Sequence, residues 1–88
     1  MWNAEVFVTF KRGVLDPQGE TIRGALAALG YDAVESVRVG KYMQLQLVAA
    51  DAGEARAKVD EMCRRLLANT VIEEYRIEIS AAERGVER

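Results

Sequence analysis

Residues 36–48, SVRVGKYMQLQLV, constrain the fold of this chain more than any other stretch. Apolar and polar residues alternate on both sides of a central Gly40-Lys41 pair. Alternation with a period of two is typical of a strand with one buried face, and an interruption at glycine is typical of a turn. The pattern therefore predicts a β-hairpin with arms at residues 35–39 and 42–50, and the rest of the chain is expected to pack on it.

Two more strands and two helices are predicted around this hairpin. Residues 4–10 and 71–79 alternate like strands, whereas residues 16–30 and 51–69 carry apolar residues at helical spacing. The order is β-α-β-β-α-β, and two helices with one apolar stripe each are buried most economically on one face of one antiparallel sheet. We therefore expect an α+β fold in which the other sheet face is open.

The residues of each face are predicted from the same spacing. The first helix is expected to bury Ile22, Ala25, Leu26 and Leu29. The second helix is expected to bury Ala55, Val59, Met62, Cys63, Leu66 and Leu67. The open sheet face is expected to carry Phe7, Thr9, Arg38, Gln44, Gln46, Val48, Glu74 and Arg76. A face of this mixed character, or an edge strand, is where a partner could add.

The first helix has clear signals at both ends. Asp16 is predicted to cap it, Pro17 suits its first position, and Gly30 suits the left-handed residue that ends it. Gly19 belongs to the same helix start, which could alternatively cradle an anion. Because Asp16 uses the free N–H groups and adds a negative charge, plain capping is favoured over anion binding.

Composition excludes most catalytic and metal-binding chemistry. The 88 residues include no histidine and one cysteine, Cys63, so neither a histidine base nor a thiolate zinc site can be built. We expect no catalytic residue and no metal site. A net charge of −2 with mixed signs argues against a nucleic-acid partner. No apolar run approaches the ~20 residues of a membrane span.

The length fits one domain, expected at residues 1–80, followed by a charged and frayed tail at residues 81–88. A single cysteine allows no intrachain disulfide, and the first residues do not have the form of a secretory signal. The expected location is therefore the cytoplasm.

The order of short motifs along the chain resembles the PurS family, the small subunit of phosphoribosylformylglycinamidine synthase. The motifs, in order, are Asp16-Pro17-Gln18-Gly19, Ala25-Leu26, Leu29-Gly30-Tyr31, Val37-Arg38-Val39-Gly40-Lys41, Met62-Cys63-Arg64-Arg65-Leu66-Leu67-Ala68-Asn69 and Val71-Ile72-Glu73-Glu74-Tyr75. Each motif is weak alone, but their joint order and spacing are specific. Thr70 departs from the family, which often has proline there.

The resemblance implies a PurS-like oligomeric fold, related to the ferredoxin-like arrangement, and a non-catalytic role. The complete enzyme uses ATP, Mg and glutamine to convert formylglycinamide ribonucleotide into formylglycinamidine ribonucleotide. This subunit would bind no cofactor alone. It would self-associate as a dimer or tetramer, bridge the glutaminase subunit and the large synthetase subunit, and support ammonia transfer between them.

The resemblance also draws attention to the residues that would meet these partners. They are Arg38, Gly40, Lys41, Asn69, Glu73 and Tyr75. Spacing alone leaves Arg38 and Lys41 as solvated charges beside a turn, which discourage unwanted strand pairing. Whether the last strand pairs within its own chain or across a dimer stays open.

An alternative interpretation comes from a different class of protein. A β-α-β-β-α-β domain with Gly13 after its first strand also resembles an ACT-type module, which senses a small ligand at a dimer interface. Such modules are usually appended to enzymes, which weakens this alternative. A ligand-specific rise in melting temperature would favour it.

Overall fold

The computed structural model describes residues 1–82. Its elements are β1 (Trp2–Phe10), α1 (Pro17–Ala28), β2 (Gly40–Leu47), α2 (Ala52–Met62), a π-helical turn (Cys63–Leu67) and β3 (Glu73–Ala81). The three strands form one antiparallel sheet in the order β2-β1-β3. The α+β class, the antiparallel sheet and the two helices are confirmed. The order of elements is β-α-β-α-β, however, with three strands in the described residues where four were expected.

The predicted hairpin is wrong, because only its second arm is a strand. Residues 34–39 have no regular secondary structure, and β2 begins at Gly40. The backbone N–H of Val39 donates to the carboxylate of Asp16 at 2.9 Å and not to a strand partner. Gly40 is not in a turn either; it lies so close to β1 that a Cβ would collide with the carbonyl oxygen of Val8. An extended connector alternates like a strand, so the period alone could not separate the two.

The core lies between the sheet and α2. Alternate residues of β1, namely Ala4, Val6 and Val8, are almost fully buried and cluster with Val59 and Cys63. Helix α2 lies over β1 and β3 and leaves the β2 side of this face less covered. The apolar row of β2, which is only partly buried, consists of Met43, Leu45 and Leu47.

Helix α1 does not pack on the sheet. Gly19 is its only buried residue, whereas Ile22 and Leu29 are 42% and 73% exposed. The described chain is accordingly elongated, with extents of 50 × 31 × 16 Å. Of the two helices that were expected on one face, only α2 covers it.

A π turn at the end of α2 changes which residues are buried. The backbone N–H of Ala68 donates to the carbonyl oxygen of Cys63, five residues back, at 3.0 Å. The additional residue in this turn rotates Leu66 outward, where it is 82% exposed, while Ala68 is only 7% exposed. The prediction that Leu66 lies on the buried side is therefore wrong, because a uniform 3.6-residue period does not anticipate an inserted residue.

The last strand extends slightly beyond the predicted domain. Ala81, the first residue of the expected tail, is the last residue of β3. The next backbone N–H, that of Ala82, donates to the carbonyl oxygen of Met1 at 3.0 Å. Residues 83–88, the remainder of the expected tail, lie outside the described residues. Across residues 1–82, no helix has both the length and the apolar character that a bilayer span requires.

Candidate interaction surfaces

Most of the polar residues singled out in the sequence converge at one end of the sheet. Strand β1 is antiparallel to both neighbours, so its C-terminal end lies beside the first residues of β2 and β3. Thr9 is opposite Gly40, and Phe10 is opposite Glu73. We define the polar end cluster as the side chains of Arg38, Lys41, Asn69, Glu73 and Glu74.

Arg38 lies just before β2 and bonds to residues of both other strands within this cluster. Its Nη2 donates to Thr9 Oγ1 at 3.2 Å, to the carbonyl oxygen of Phe10, and to Glu74 Oε2 at 3.4 Å. The side chains of Arg38 and Glu74 remain 43% and 54% exposed. An ion pair this exposed contributes little to stability. Because about half of each side chain is exposed, the two charges are accessible to another molecule.

Lys41 and Asn69 meet at the carboxylate of Glu73. Lys41 Nζ lies 3.9 Å from Glu73 Oε1, and that oxygen also accepts from the backbone N–H of Asn69 at 2.7 Å. The carbonyl oxygen of Asn69 accepts a hydrogen bond from Glu73 N at 2.7 Å. The side-chain oxygen of Asn69 accepts one from Val71 N at 3.2 Å. These bonds fix the α2–β3 connection in one shape, and it presents Val71 with 79% of its surface exposed.

Tyr75 lies near this end on the sheet face that α2 covers, in the same cross-strand row as Val8 and Lys41. Its hydroxyl donates to Asp60 Oδ1 at 2.7 Å, and Asp60 also accepts from Arg64 at 2.8 Å. The hydrogen bond from Tyr75, followed by that from Arg64, lowers the pKa of Asp60, and the same carboxylate raises the pKa of Tyr75. Tyr75 thus joins α2 to β3, because its hydroxyl bonds to Asp60 of α2 and not to a residue of the polar end cluster.

The sheet face opposite α2 carries a connected set of polar and aromatic groups. The rings of Phe7 and Tyr42 stack with centroids 5.0 Å apart, and Arg76 lies 4.1 Å over the Phe7 ring. Tyr42 donates to Glu5 and accepts from Gln44, and the bond to Glu5 raises the pKa of Tyr42. The sequence prediction for this face omitted Tyr42, although it stands two positions before Gln44 in the same alternation.

The apolar side of α1 is the second unusual surface. Ile22 of α1 and Leu29, its C-cap residue, are 42% and 73% exposed, and Leu15, which precedes the N-cap Asp16, is 71% exposed. We call these three residues the α1 stripe. Sequence reasoning identified the helical apolar side but assigned it to the core of its own chain. No signal in the sequence opposed that assignment, because the alternation at residues 35–39 predicted a fourth strand that the structure does not have.

The start of α1 is attached to the chain through the carboxylate of Asp16. Asp16 Oδ1 accepts from Gly19 N at 2.9 Å, which caps the helix, and Oδ2 accepts from Val39 N at 2.9 Å. The bond from Val39, followed by that from Gly19, lowers the pKa of Asp16. Pro17 occupies the first helical turn, and at the other end Gly30 has φ of +102°. All four predicted turn and cap residues therefore stand at the ends of α1.

The one thiol and the acidic side chains of the described residues are placed as follows. Burial, followed by the charge of Asp60, raises the pKa of the Cys63 thiol, which opposes formation of a nucleophilic thiolate. Among residues 1–82, no group of three acidic or thiol side chains could hold a metal ion. The carboxylates of the polar end cluster each face a cation: Glu74 lies 3.4 Å from Arg38, and Glu73 lies 3.9 Å from Lys41.

Comparison with known proteins gives one consistent family. A family model described as PurS, phosphoribosylformylglycinamidine (FGAM) synthase, matches residues 3–81. A relative from Synechocystis, named phosphoribosylformylglycinamidine synthase subunit PurS, is 47% identical over 85 residues, which cover 97% of this chain and 85% of that protein.

Solved structures agree with the sequence comparison. Bacillus subtilis PurS in its C2 crystal form superposes with a TM-score of 0.82 and 46% identity, covering 91% of this chain and 99% of that chain. A chain in the structure of PurLQS from Thermotoga maritima superposes with a TM-score of 0.80 and 31% identity, covering 91% and 99% of the two chains.

Proposed function

Because the chain belongs to the PurS family, we propose that it is the small, non-catalytic subunit of phosphoribosylformylglycinamidine synthase. The enzyme converts formylglycinamide ribonucleotide into formylglycinamidine ribonucleotide with ATP and glutamine. The observation that carries the non-catalytic assignment is the side-chain inventory: the chain has no histidine, and its one thiol is buried. This assignment displaces the alternative of a ligand-sensing ACT-type module.

The partners are the glutaminase subunit and the large synthetase subunit of the same enzyme. The name PurLQS of the related Thermotoga maritima structure supports an assembly of three kinds of subunit. The physical role is to hold two active sites in a fixed relation, so that ammonia passes between them without dilution or protonation by bulk water. ATP, Mg and glutamine are bound by the partner subunits in this proposal, and this subunit binds no cofactor itself.

Self-association is the second part of the proposal, and the α1 stripe supports it. Exposed apolar side chains that follow one side of a helix are stabilised when another surface covers them. The apolar row of β2 is the complementary feature, because α2 leaves it only partly covered. Two copies can satisfy both features reciprocally, with α1 of each copy on the β2 side of the other. Such a contact is isologous and closes as a dimer.

The polar end cluster is the proposed contact with the other subunits. It combines accessible charges with a connection whose shape is fixed by hydrogen bonds, and a preformed surface loses little conformational entropy on binding. The exposed side chains of Leu66 and Val71 lie on the two sides of Asn69 in the chain and add apolar area to this end.

Charge reversal at Lys41 tests this contact against a closely matched control. Lys41 lies 3.9 Å from Glu73 and is 56% exposed, whereas Lys58 lies 3.8 Å from Glu54 and is 48% exposed. Lys58 reaches the carbonyl oxygen of Val48, beyond the opposite end of β2. We expect Lys41→Glu to weaken co-elution with the purified partner subunits by at least about tenfold, and Lys58→Glu to leave it unchanged.

The measurement is size-exclusion chromatography of the three subunits with glutamine, ATP and Mg, together with glutamine-dependent product formation. Circular dichroism checks that both variants keep the wild-type fold. Arg38→Glu provides an independent second variant at the same end and should behave like Lys41→Glu. Wild-type co-elution of both Lys41→Glu and Arg38→Glu would remove this end of the sheet from the interface.

A further inference from the structure

We infer that Asp16 and Gly19 form a latch that fixes the direction of α1, so that the α1 stripe is already oriented for a second copy of the chain. This inference rests on the proposed self-association, because a direction of α1 matters only if something binds its exposed side. Asp16 and Gly19 would then be positioning residues, since they act through α1 and not through contact with the second copy.

Such a latch is needed because α1 has few packing contacts with the rest of the chain. The helix buries only Gly19 and does not pack on the sheet. A helix joined to the rest of the chain by two connectors alone would sample many orientations. Its apparent affinity for any partner would then fall by the fraction of time spent in the competent orientation.

Asp16 differs from the cap of the other helix in a way that capping does not explain. Asp51 caps α2 through one oxygen, Oδ1, which accepts from Glu54 N at 2.8 Å. Asp16 uses one oxygen in the same manner and the other to accept from Val39 N, 23 residues away. The second bond is therefore a tether between the start of α1 and the chain just before β2.

Gly19 allows the first turn of α1 to lie very close to the backbone of Val37. A Cβ at this position would collide with the carbonyl oxygen of Val37. The first turn of α1 thus lies directly against residues 37–39, and this segment is itself anchored because Gly40 lies against the backbone of Val8. The contact gives α1 a defined attachment to β1 through only a few atoms.

The first test exchanges each capping aspartate for asparagine. Asparagine is also a good N-cap, so Asp16→Asn keeps the cap but cannot accept with both side-chain atoms. Asp51→Asn is the control, because Asp51 uses only one oxygen. We expect the dimer dissociation constant, measured by sedimentation equilibrium, to rise about tenfold in Asp16→Asn and less than about twofold in Asp51→Asn.

A second test uses two glycines of the same helix. Gly19→Ala introduces the collision with Val37, whereas a Cβ at Gly24 meets no atom within 4 Å. Gly24→Ala should leave dimerisation unchanged and favour the helix, because alanine is the better helix former. Gly19→Ala should weaken dimerisation by a factor similar to that of Asp16→Asn, at about tenfold.

Amide hydrogen exchange separates the latch from the proposed self-association. In dilute monomer, Asp16→Asn should accelerate exchange of the Val39 N–H about tenfold or more, since its acceptor is lost. A wild-type chain that stays monomeric at millimolar concentration would overturn the self-association, while accelerated Val39 exchange would still support the latch. Equal dissociation constants for the two asparagine variants, with unchanged Val39 exchange, would overturn the latch itself.

Discussion

Helices α1 and α2 start in the same way and end up in different environments. Each has an aspartate cap whose side chain accepts from the third helical N–H, and their lengths are 12 and 11 residues. Yet α2 buries Ala55 and Val59 completely, while Ile22 and Leu29 of α1 remain exposed. Local sequence therefore determines that a helix forms, and the available sheet surface determines whether it is covered.

The difference teaches what an apolar stripe means in a small domain. A three-stranded sheet gives one helix enough area to pack, and α2 takes the part over β1 and β3. The stripe of the other helix stays exposed, although exposure of aligned apolar side chains is unfavourable. In the proposed dimer, α2 stabilises the single chain and α1 stabilises the pair.

The largest expected effect is at the centre of the α2 contact. Val59→Asp places an unpaired carboxylate at a position with 0% exposure, which should cost more than about 4 kcal/mol and prevent folding of so small a domain. Ala57→Asp adds the same charge at an exposed position of the same helix and should remain folded. Far-ultraviolet circular dichroism and urea unfolding distinguish the two outcomes. A folded Val59→Asp protein would show that α2 is not the helix that holds the chain together.

The elements that the sequence predicted correctly depend on near neighbours. The cap of α1 by Asp16 needs only residues within one turn, and the alternation of β1 needs only its own side chains. The predicted hairpin failed because the partner of Val39 is the carboxylate of Asp16, which lies 23 residues earlier. A period of two carries no information about such a distant acceptor.

The second prediction concerns the end of the α1 stripe. Leu29→Lys puts a cation on the stripe, and Ala28→Lys puts the same cation on the neighbouring exposed position outside it. Both cations suit the C-terminal end of a helix dipole, so neither should unfold the monomer. We expect the dimer dissociation constant to rise about 100-fold for Leu29→Lys, because burial of two leucines per dimer is lost.

Sedimentation equilibrium over a wide concentration range measures this effect, with Ala28→Lys as the control. Equal dissociation constants for the two variants would remove α1 from the interface and leave the difference between the helices without a functional explanation. A shift confined to Leu29→Lys would instead define the covered side of α1.

The candidate surfaces were predictable to different degrees for a physical reason. Arg38, Lys41 and Glu73 were singled out through the resemblance to a family, and the antiparallel register then brought them to one end of the sheet. The exposure of Leu29 could not be predicted, because an apolar stripe looks the same in a sequence whether its own sheet or a second chain covers it. Leu66 was misplaced for a different reason, which is the residue inserted by the π turn.

The smallest expected effect separates two adjacent leucines at the end of α2. Leu66 is 82% exposed, so Leu66→Ser should change the free energy of unfolding by less than about 0.5 kcal/mol. Leu67 packs against the core cluster, and Leu67→Ser should cost about 2 kcal/mol. A regular α-helix would instead place Leu66, seven residues after Val59, on the buried side. Urea unfolding of the two variants therefore reports which of the two leucines is buried. A larger loss of unfolding free energy for Leu66→Ser than for Leu67→Ser would mean that α2 continues as a regular α-helix without the π turn.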